Sequence, residues 1–434
     1  MANTVLNPSI IAATAVRVLE NELVMGRRVY RGFEEEFDKR INGYEVGDTI
    51  SIRKPQQFAV RLGATANLQD VNEGKLTLTV NMQRGVDFSF TGTELTLKIE
   101  QLAERVIKPA MVRLANQIDI DLMGLYVNVP SWVGQPAVGA DAPLSSFAMF
   151  ARAAERLDQM ACPQDMRSAV LAPDSYWALA SSQTALFLNS IGTQAYRQGE
   201  IGQIGGIATY MSQNVPTFIG PGNLDAPATV TGLQSTSYTA VMNTEATPGT
   251  MQLVTGGWTG ATVKAGTVFT IGSAATAVHA VNPVTKQILP FQQMFTVMTD
   301  ATVSTGAATL TITPPIIPIT EPTTGAAWGT TDIAAGAGAT LQVVGDASGS
   351  YRQNLMFHRD AFALVVVPMV KPPGAVDVAR ESYKGTSCRL IPYYNGSTDV
   401  SSYRLDVLYG VKVIDNRLAV RMSGGSATLG NPSL

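Results

Sequence analysis

Apolar and polar positions change period several times along the chain, and each change marks an element. Asn7-Pro8 opens the first: asparagine caps free helix amides, and proline at the first helical position loses no hydrogen bond. From 8 to about 23 the run places Ile11, Ala15, Val18 and Leu19 on one face, and Gly26 ends it. From Gly43 the pattern alternates. Thr49-Ile50-Ser51-Ile52-Arg53 reads as a strand stopped by Pro55, and Lys75-Leu76-Thr77-Leu78-Thr79-Val80 as a second strand. Between them lies a polar stretch holding Gly63, Asn67, Asp70 and Gly74. Two such strands make an extended hairpin with little core of its own, which must lean on something.

Near Thr93 the spacing becomes three and four. Leu95, Ile99, Leu102, Val106, Ala110, Leu114, Ile118, Leu122 and Leu125 form one stripe, which predicts a long helix kinked at Pro109. Glu94, Glu100 and Glu104 sit toward its positive end. A second helix is predicted over 145–160, with Phe147, Phe150, Ala154 and Leu157 on one face. Residues 167–172 read as a short buried strand, followed by a helix from about Asp174 that carries Tyr176 and Trp177.

Composition then shifts. Between 221 and 349 the charged residues are only Asp225, Glu245, Lys264, Lys286, Asp300, Glu321, Asp332 and Asp346, while Thr, Gly, Ala and Val dominate. Short alternating runs such as 266–271 and 308–312 end in turns, which predicts an all-β barrel or sandwich inserted between mixed α/β segments. Residues 361–367 read as a fully buried strand, and 403–409 and 411–414 as closing strands joined at Gly410.

A length of 434 residues suits two or three domains. Charged residues make up 15% of the chain, well under the usual quarter or so. Uncharged surface carries little colloidal protection, so this composition points to surface hidden against partners. A net charge of −3 argues against a protein that coats nucleic acid through a basic face. The chain opens Met-Ala-Asn-Thr without early positive charge, so no secretory signal is read. The apolar run 361–370 is about half of what a membrane span needs. Synthesis in a reducing cytoplasm is expected.

Candidate chemistry is sparse. Cys162 and Cys388 exclude a disulfide scaffold, and neither has a histidine near it in sequence, so inert buried thiols are expected. The two histidines, His279 and His358, do not cluster with cysteine at metal-ligand spacing. His279 in the Thr-rich insert suits a surface or strand-edge role, and His358 beside Arg359-Asp360 suits a polar anchor before a strand. Gly202-Gln203-Ile204-Gly205-Gly206 lacks the spacing and lysine of a phosphate loop and reads as a turn. Asn395-Gly396-Ser397 reads as a chance glycosylation match. No catalytic group, cofactor site or metal site is assigned.

The order of elements resembles the tailed-phage major capsid fold of the Hong Kong 97 type, and the inserted β module narrows the likeness to short-tailed-phage coat proteins with an extra barrel. Residues 47–55 (GDTISIRKP) look like that family's E-loop entry and 114–119 (LANQID) like the middle of its spine helix. Residues 354–364 (NLMFHRDAFAL) are similar to the return into the axial domain, and 404–412 (RLDVLYGVK) to the closing strands.

The resemblance implies an α+β capsid fold with an N-arm (1–42), an E-loop hairpin (43–92) and a spine helix with peripheral and first axial parts (93–220). An inserted barrel (221–349) and a return to the axial and peripheral domains (350–434) would follow. It implies a non-enzymatic subunit that assembles as hexamers and pentamers into an icosahedral shell around double-stranded DNA, with a scaffolding protein and a portal as partners and no membrane. Its place would be the virion capsid, with the host cytoplasm during assembly. Arg53, Lys54, Arg61 and Asp70 become candidate intersubunit ion-pair partners, with an ordinary solvated loop as the alternative. Alternative functions are another virion component, such as a tail or decoration protein, or a hydrolase with a β-rich accessory domain.

Overall fold

The computed structural model of the chain describes residues 8–34, 37, 48–54, 57–60, 63–64, 68, 74–91, 106–134, 143–184, 202–220, 228–233, 247–260, 262–273, 276–321, 325–345, 349–372 and 378–424. Two compact units emerge, each assembled from separate stretches of sequence. The first comprises 1–51, 77–122 and 362–412, and the second 52–76, 123–361 and 413–434.

In the first unit the strand Val400–Val413 is central. It pairs antiparallel with Met82–Thr91 and with Thr386–Asn395, which in turn pairs with Ala379–Tyr383. Sequence alternation suggested two strands joined at Gly410, but one strand runs straight through it. Gly410 is required by crowding, because a Cβ there would lie 2.5 Å from the Thr79 carbonyl oxygen. The helix Pro8–Glu22 packs on Ala379–Tyr383 and Thr386–Asn395. Its buried face is Ile11, Ala12, Ala15, Val16 and Leu19; Val18 is only half-buried. The helix also stops four residues before Gly26.

The helix Lys108–Met123 buries Ala110, Met111, Leu114, Ala115, Ile118 and Leu122, the expected stripe with its adjoining row. A π turn at Val106 and Ile107 precedes it. Pro109 is the second residue of the α-helical stretch, directly after that π turn, so the helical bonding is irregular beside the proline, where its missing N–H cannot take part. The predicted first half of that helix, with Glu94, Glu100 and Glu104, lies outside the described residues.

The second unit holds a six-stranded sheet in the order Trp132–Val133, Ala419–Met422, Asn354–His358, Arg167–Leu171, Ile207–Met211, Gln203–Ile204. Arg167–Leu171 and Asn354–His358 are buried at every position, as fits central strands covered on both faces. The helix Phe147–Gln159, capped by the Ser146 side chain on the Met149 N–H, buries Phe150 and Leu157 with Leu171, Met356 and Val420. Gly205 and Gly206 take positive φ in the tight turn between the last two strands, the turn expected there.

Within the same unit a second six-stranded sheet runs in the order Leu341–Val343, Val268–Ile271, Phe295–Val297, Ala307–Thr313, Met251–Gly256, Thr229–Leu233. The edges meet: the Val230 N–H donates to the Ala339 carbonyl at 2.8 Å and the Leu341 N–H to the Ala228 carbonyl at 2.7 Å. The sheet is thus a small closed barrel, filled by Leu253, Phe269, Phe295, Val297, Leu310 and Ile312. A two-stranded ribbon, Thr217–Ile219 with Ser350–Arg352, carries the chain in and out.

Candidate functional site

A protein read as an assembly subunit has surfaces as its site, and the hairpin is the first of them. Strands Thr49–Arg53 and Lys75–Thr79 pair, and the Lys54 N–H donates to the Gly74 carbonyl at 2.8 Å. The alternation predicted for Lys75–Thr79 is present, with Leu76 and Leu78 buried. Beyond Lys54 the loop presents Phe58, Val60 and Leu68 at 59%, 99% and 94% exposure. Three large apolar side chains thus stand in solvent on one loop of this chain. Of the four charged residues singled out in this region, Arg53 is exposed and Lys54 is buried at 7% exposure. Arg61 and Asp70 lie outside the described residues.

Behind the surfaces, buried polar groups tie distant segments together. In the first unit, Asp119 sits in the apolar stripe of Lys108–Met123 at 1% exposure. Its carboxylate accepts the Val24 N–H at 2.7 Å and the Gly26 N–H at 3.0 Å, fastening the turn after the N-terminal helix. Burial pushes Asp119 up to about 6 against those bonds. Asp121, on the same helix, accepts from the Tyr409 hydroxyl, from Arg84 Nη2 at 3.2 Å and from Gln117 Nε2 at 2.9 Å.

The mixed-charge stretch after the first helix turns inward at Arg31. Arg31 donates to Glu20 and Glu34 at 3.0 Å each and to the Thr386 hydroxyl at 2.8 Å, and that hydroxyl donates to Glu20 at 2.6 Å. Burial raises the Glu34 carboxyl to about 7, with Arg31 acting in the opposite direction.

In the second unit the barrel is fastened by arginines. Arg421, fully buried, donates to the Gly266 carbonyl at 2.8 Å, to the Val127 carbonyl at 3.0 Å and to the Thr296 hydroxyl at 2.9 Å. Arg156 lies 3.3 Å over the Phe291 ring centroid. Asn416 Nδ2 donates to the Thr313 hydroxyl at 3.0 Å.

The groups that a catalytic reading would need are otherwise engaged. His358 is buried, and its Nδ1 accepts the Asp360 N–H at 3.2 Å. His279, at the start of a strand in a separate two-stranded ribbon, has its Nδ1 2.8 Å from Asp332. Burial pushes the Cys162 thiol up to about 11 and the Cys388 thiol up to about 12, so neither is a nucleophile near neutral pH. Among the described residues no group of three or more His, Cys, Asp or Glu could hold a metal, and no helix is long and apolar enough to cross a membrane.

No curated protein matches the chain in direct sequence comparison. Among solved structures, the chain is similar to one from Mycobacterium phage Che8, at 12% identity and a TM-score of 0.47 over 93% of this chain and 92% of that one. The capsid of cyanophage P-SCSP1u aligns at 10% identity and 0.44 over 88% and 85%, and that of Ralstonia phage GP4 at 10% and 0.41 over 89% and 86%. The sequence pattern described as P22 coat protein, gene protein 5, matches residues 2–424. With the match running from the N-terminal helix through hairpin, barrel and closing strands, the chain belongs to the P22 coat protein family, a structural subunit of a phage capsid shell and not an enzyme.

Proposed function

We propose that this coat subunit assembles as hexamers and pentamers into an icosahedral shell enclosing double-stranded DNA. The observation that carries the reading is the family match over residues 2–424. The hairpin supports it: Phe58, Val60 and Leu68 stand exposed on a two-stranded element with little core of its own. A neighbouring subunit would cover them, with Arg53, Lys54, Arg61 and Asp70 as ion-pair partners across that contact, Lys54 through its edge because it is largely buried already.

The domain limits follow the same reading: N-arm 1–42, hairpin 43–92, spine and first axial part 93–220, barrel 221–349, and return 350–434. The ribbon of Thr217–Ile219 with Ser350–Arg352 supports the limits of the barrel. A scaffolding protein and a portal are the further partners, with assembly in the host cytoplasm. The low net charge of −3 suits a shell that holds DNA without gripping phosphates.

Negative-stain electron microscopy of the purified chain, alone and with a phage-encoded scaffolding protein, tests this. Closed shells or hexameric sheets are expected. A monomer or small oligomer under both conditions would sink the proposal.

A further inference from the structure

In the second unit, the turn joining strands His279–Val281 and Ile288–Gln292 is held from several sides. Asn282 Oδ1 accepts the Val284 and Thr285 N–H groups at 2.9 Å each, and Asn282 Nδ2 donates to the Gln159 carbonyl at 2.9 Å. The Asn282 carbonyl accepts the Lys286 N–H at 3.0 Å. Lys286 itself has a φ of 55°, a left-handed conformation that long side chains rarely adopt. Strained positions of this kind persist where the surroundings over-determine them, and they gather at binding sites.

The Lys286 side chain lines a cleft of about 300 Å³ whose walls include Phe58, Met160, Pro283 and Leu418. Trp328 and Ile317 line its apolar continuation inward. The ammonium donates to Gln57 Oε1 at 3.1 Å and to the Gly329 carbonyl at 3.3 Å, both neutral acceptors. Among the described residues it makes no ion pair. Asp415, the carboxylate that lines the cleft, is committed to Arg417, with Nη2 to Oδ2 at 2.6 Å and Nε to Oδ1 at 3.0 Å. Of the two cations lining the cleft, only Arg417 has a carboxylate partner. Burial, and then Arg417, push the Lys286 ammonium down to about 8. A cation withdrawn from water without a counter-charge is costly to the fold and characteristic of a ligand site.

We propose that this cleft binds a carboxylate carried on an apolar or aromatic body, Lys286 taking the carboxylate and Phe58, Met160, Pro283 and Trp328 the body. The acid is either a free small molecule or a residue of an adjoining subunit; the chemistry is shared.

Calorimetric titration of the unassembled full chain with N-acetyl-tryptophan and with its uncharged amide tests the site, and does so whatever geometry the shell takes. The acid is expected to bind saturably, with the amide at least about tenfold weaker, the share of one charge-assisted bond. Lys286→Met should lower affinity for the acid by a similar factor. Raising the pH from 7 to about 9.5 should weaken the acid and leave the amide unchanged, because only the ammonium titrates. Equal binding of acid and amide by the unmutated chain, or no saturable binding of either, overturns the proposal independently of how the variant folds. Titrating assembled shells then identifies the source: a site filled by an adjoining subunit takes up no probe, and a site for a free acid takes it up as the unassembled chain does.

Discussion

Arg421→Met isolates what fastens the barrel to the sheet beside it. Arg421 sits at 0% exposure in the strand Ala419–Met422, with its guanidinium on Gly266, Val127 and Thr296 and its Cζ 5.3 Å from the Tyr126 ring centroid. Methionine nearly conserves the volume while removing the donors. The loss is then counted acceptor by acceptor. The Val127 carbonyl keeps the Thr296 hydroxyl at 2.8 Å, so it is not orphaned, and the hydroxyl still donates. The Gly266 carbonyl loses its donor, and a buried unsatisfied acceptor costs about 1–3 kcal/mol.

Relief of desolvation works the other way. Burial pushes the guanidinium down to about 9, and methionine has no charge to desolvate. The expected net destabilisation is about 1–2 kcal/mol for Arg421→Met. For Arg421→Ala it is about 3–5 kcal/mol, because a cavity is added. Urea unfolding of the unassembled chain, followed by circular dichroism, reads both as shifts in midpoint at constant slope. An Arg421→Met chain as stable as the parent would refute the reasoning: the three bonds would then be worth no more than the desolvation they offset, and the arginine would not be a fastener.

Glu34 gives a pH signature. Its folded pKa of about 7 stands above its ordinary value of 4.5, so the folded state holds a proton that the unfolded chain has released. Its contribution is full below pH 4.5 and is lost as the pH rises through 7; Glu34→Gln should flatten the stability profile across that window in urea titrations, and an unchanged slope would remove Glu34 as its source. Asp119→Ala orphans the Val24 and Gly26 amides, at about 1–3 kcal/mol each, and hydrogen exchange should quicken at those two positions, in the turn after the N-terminal helix, before it does in the helix Lys108–Met123. Paired Phe58→Asp and Val60→Asp substitutions should leave the stability of the unassembled chain within about 0.5 kcal/mol, because both side chains are exposed, while lowering shell yield by microscopy. A normal yield would show that the hairpin tip is not a subunit contact.

Elements whose burial repeats along the sequence were legible before the structure. The stripe through Ala110, Leu114, Ile118 and Leu122, the run 167–171 and the charge-poor stretch that closes as a barrel all fold as their periods require. Periodicity failed where the neighbour decides the residue. Gly410 looked like a strand joint because glycine usually breaks a strand; here the Thr79 backbone leaves no room for a Cβ. The helix from 147 turns Met149 and Ala153 inward and leaves Phe147 exposed at 44%, because the strands opposite, and not the largest apolar residues, set the buried face.

The polar fasteners were harder to see for the same reason, carried further. Asp119 is 95 residues from Val24, and Arg421 is 155 from Gly266. No spacing rule links such partners, since a buried polar residue is stabilised by whatever the tertiary fold sets in front of it. A local trace did exist: Arg421 stands between Val420 and Met422 in a run that is otherwise apolar, and Asp119 stands between Ile118 and Ile120. A charge embedded in an apolar element must find partners inside or be expelled. Both were found inside, and both join segments that the chain brings together from far apart. In a subunit that must keep its shape through assembly, such bonds give registry that apolar packing alone, being non-directional, does not supply.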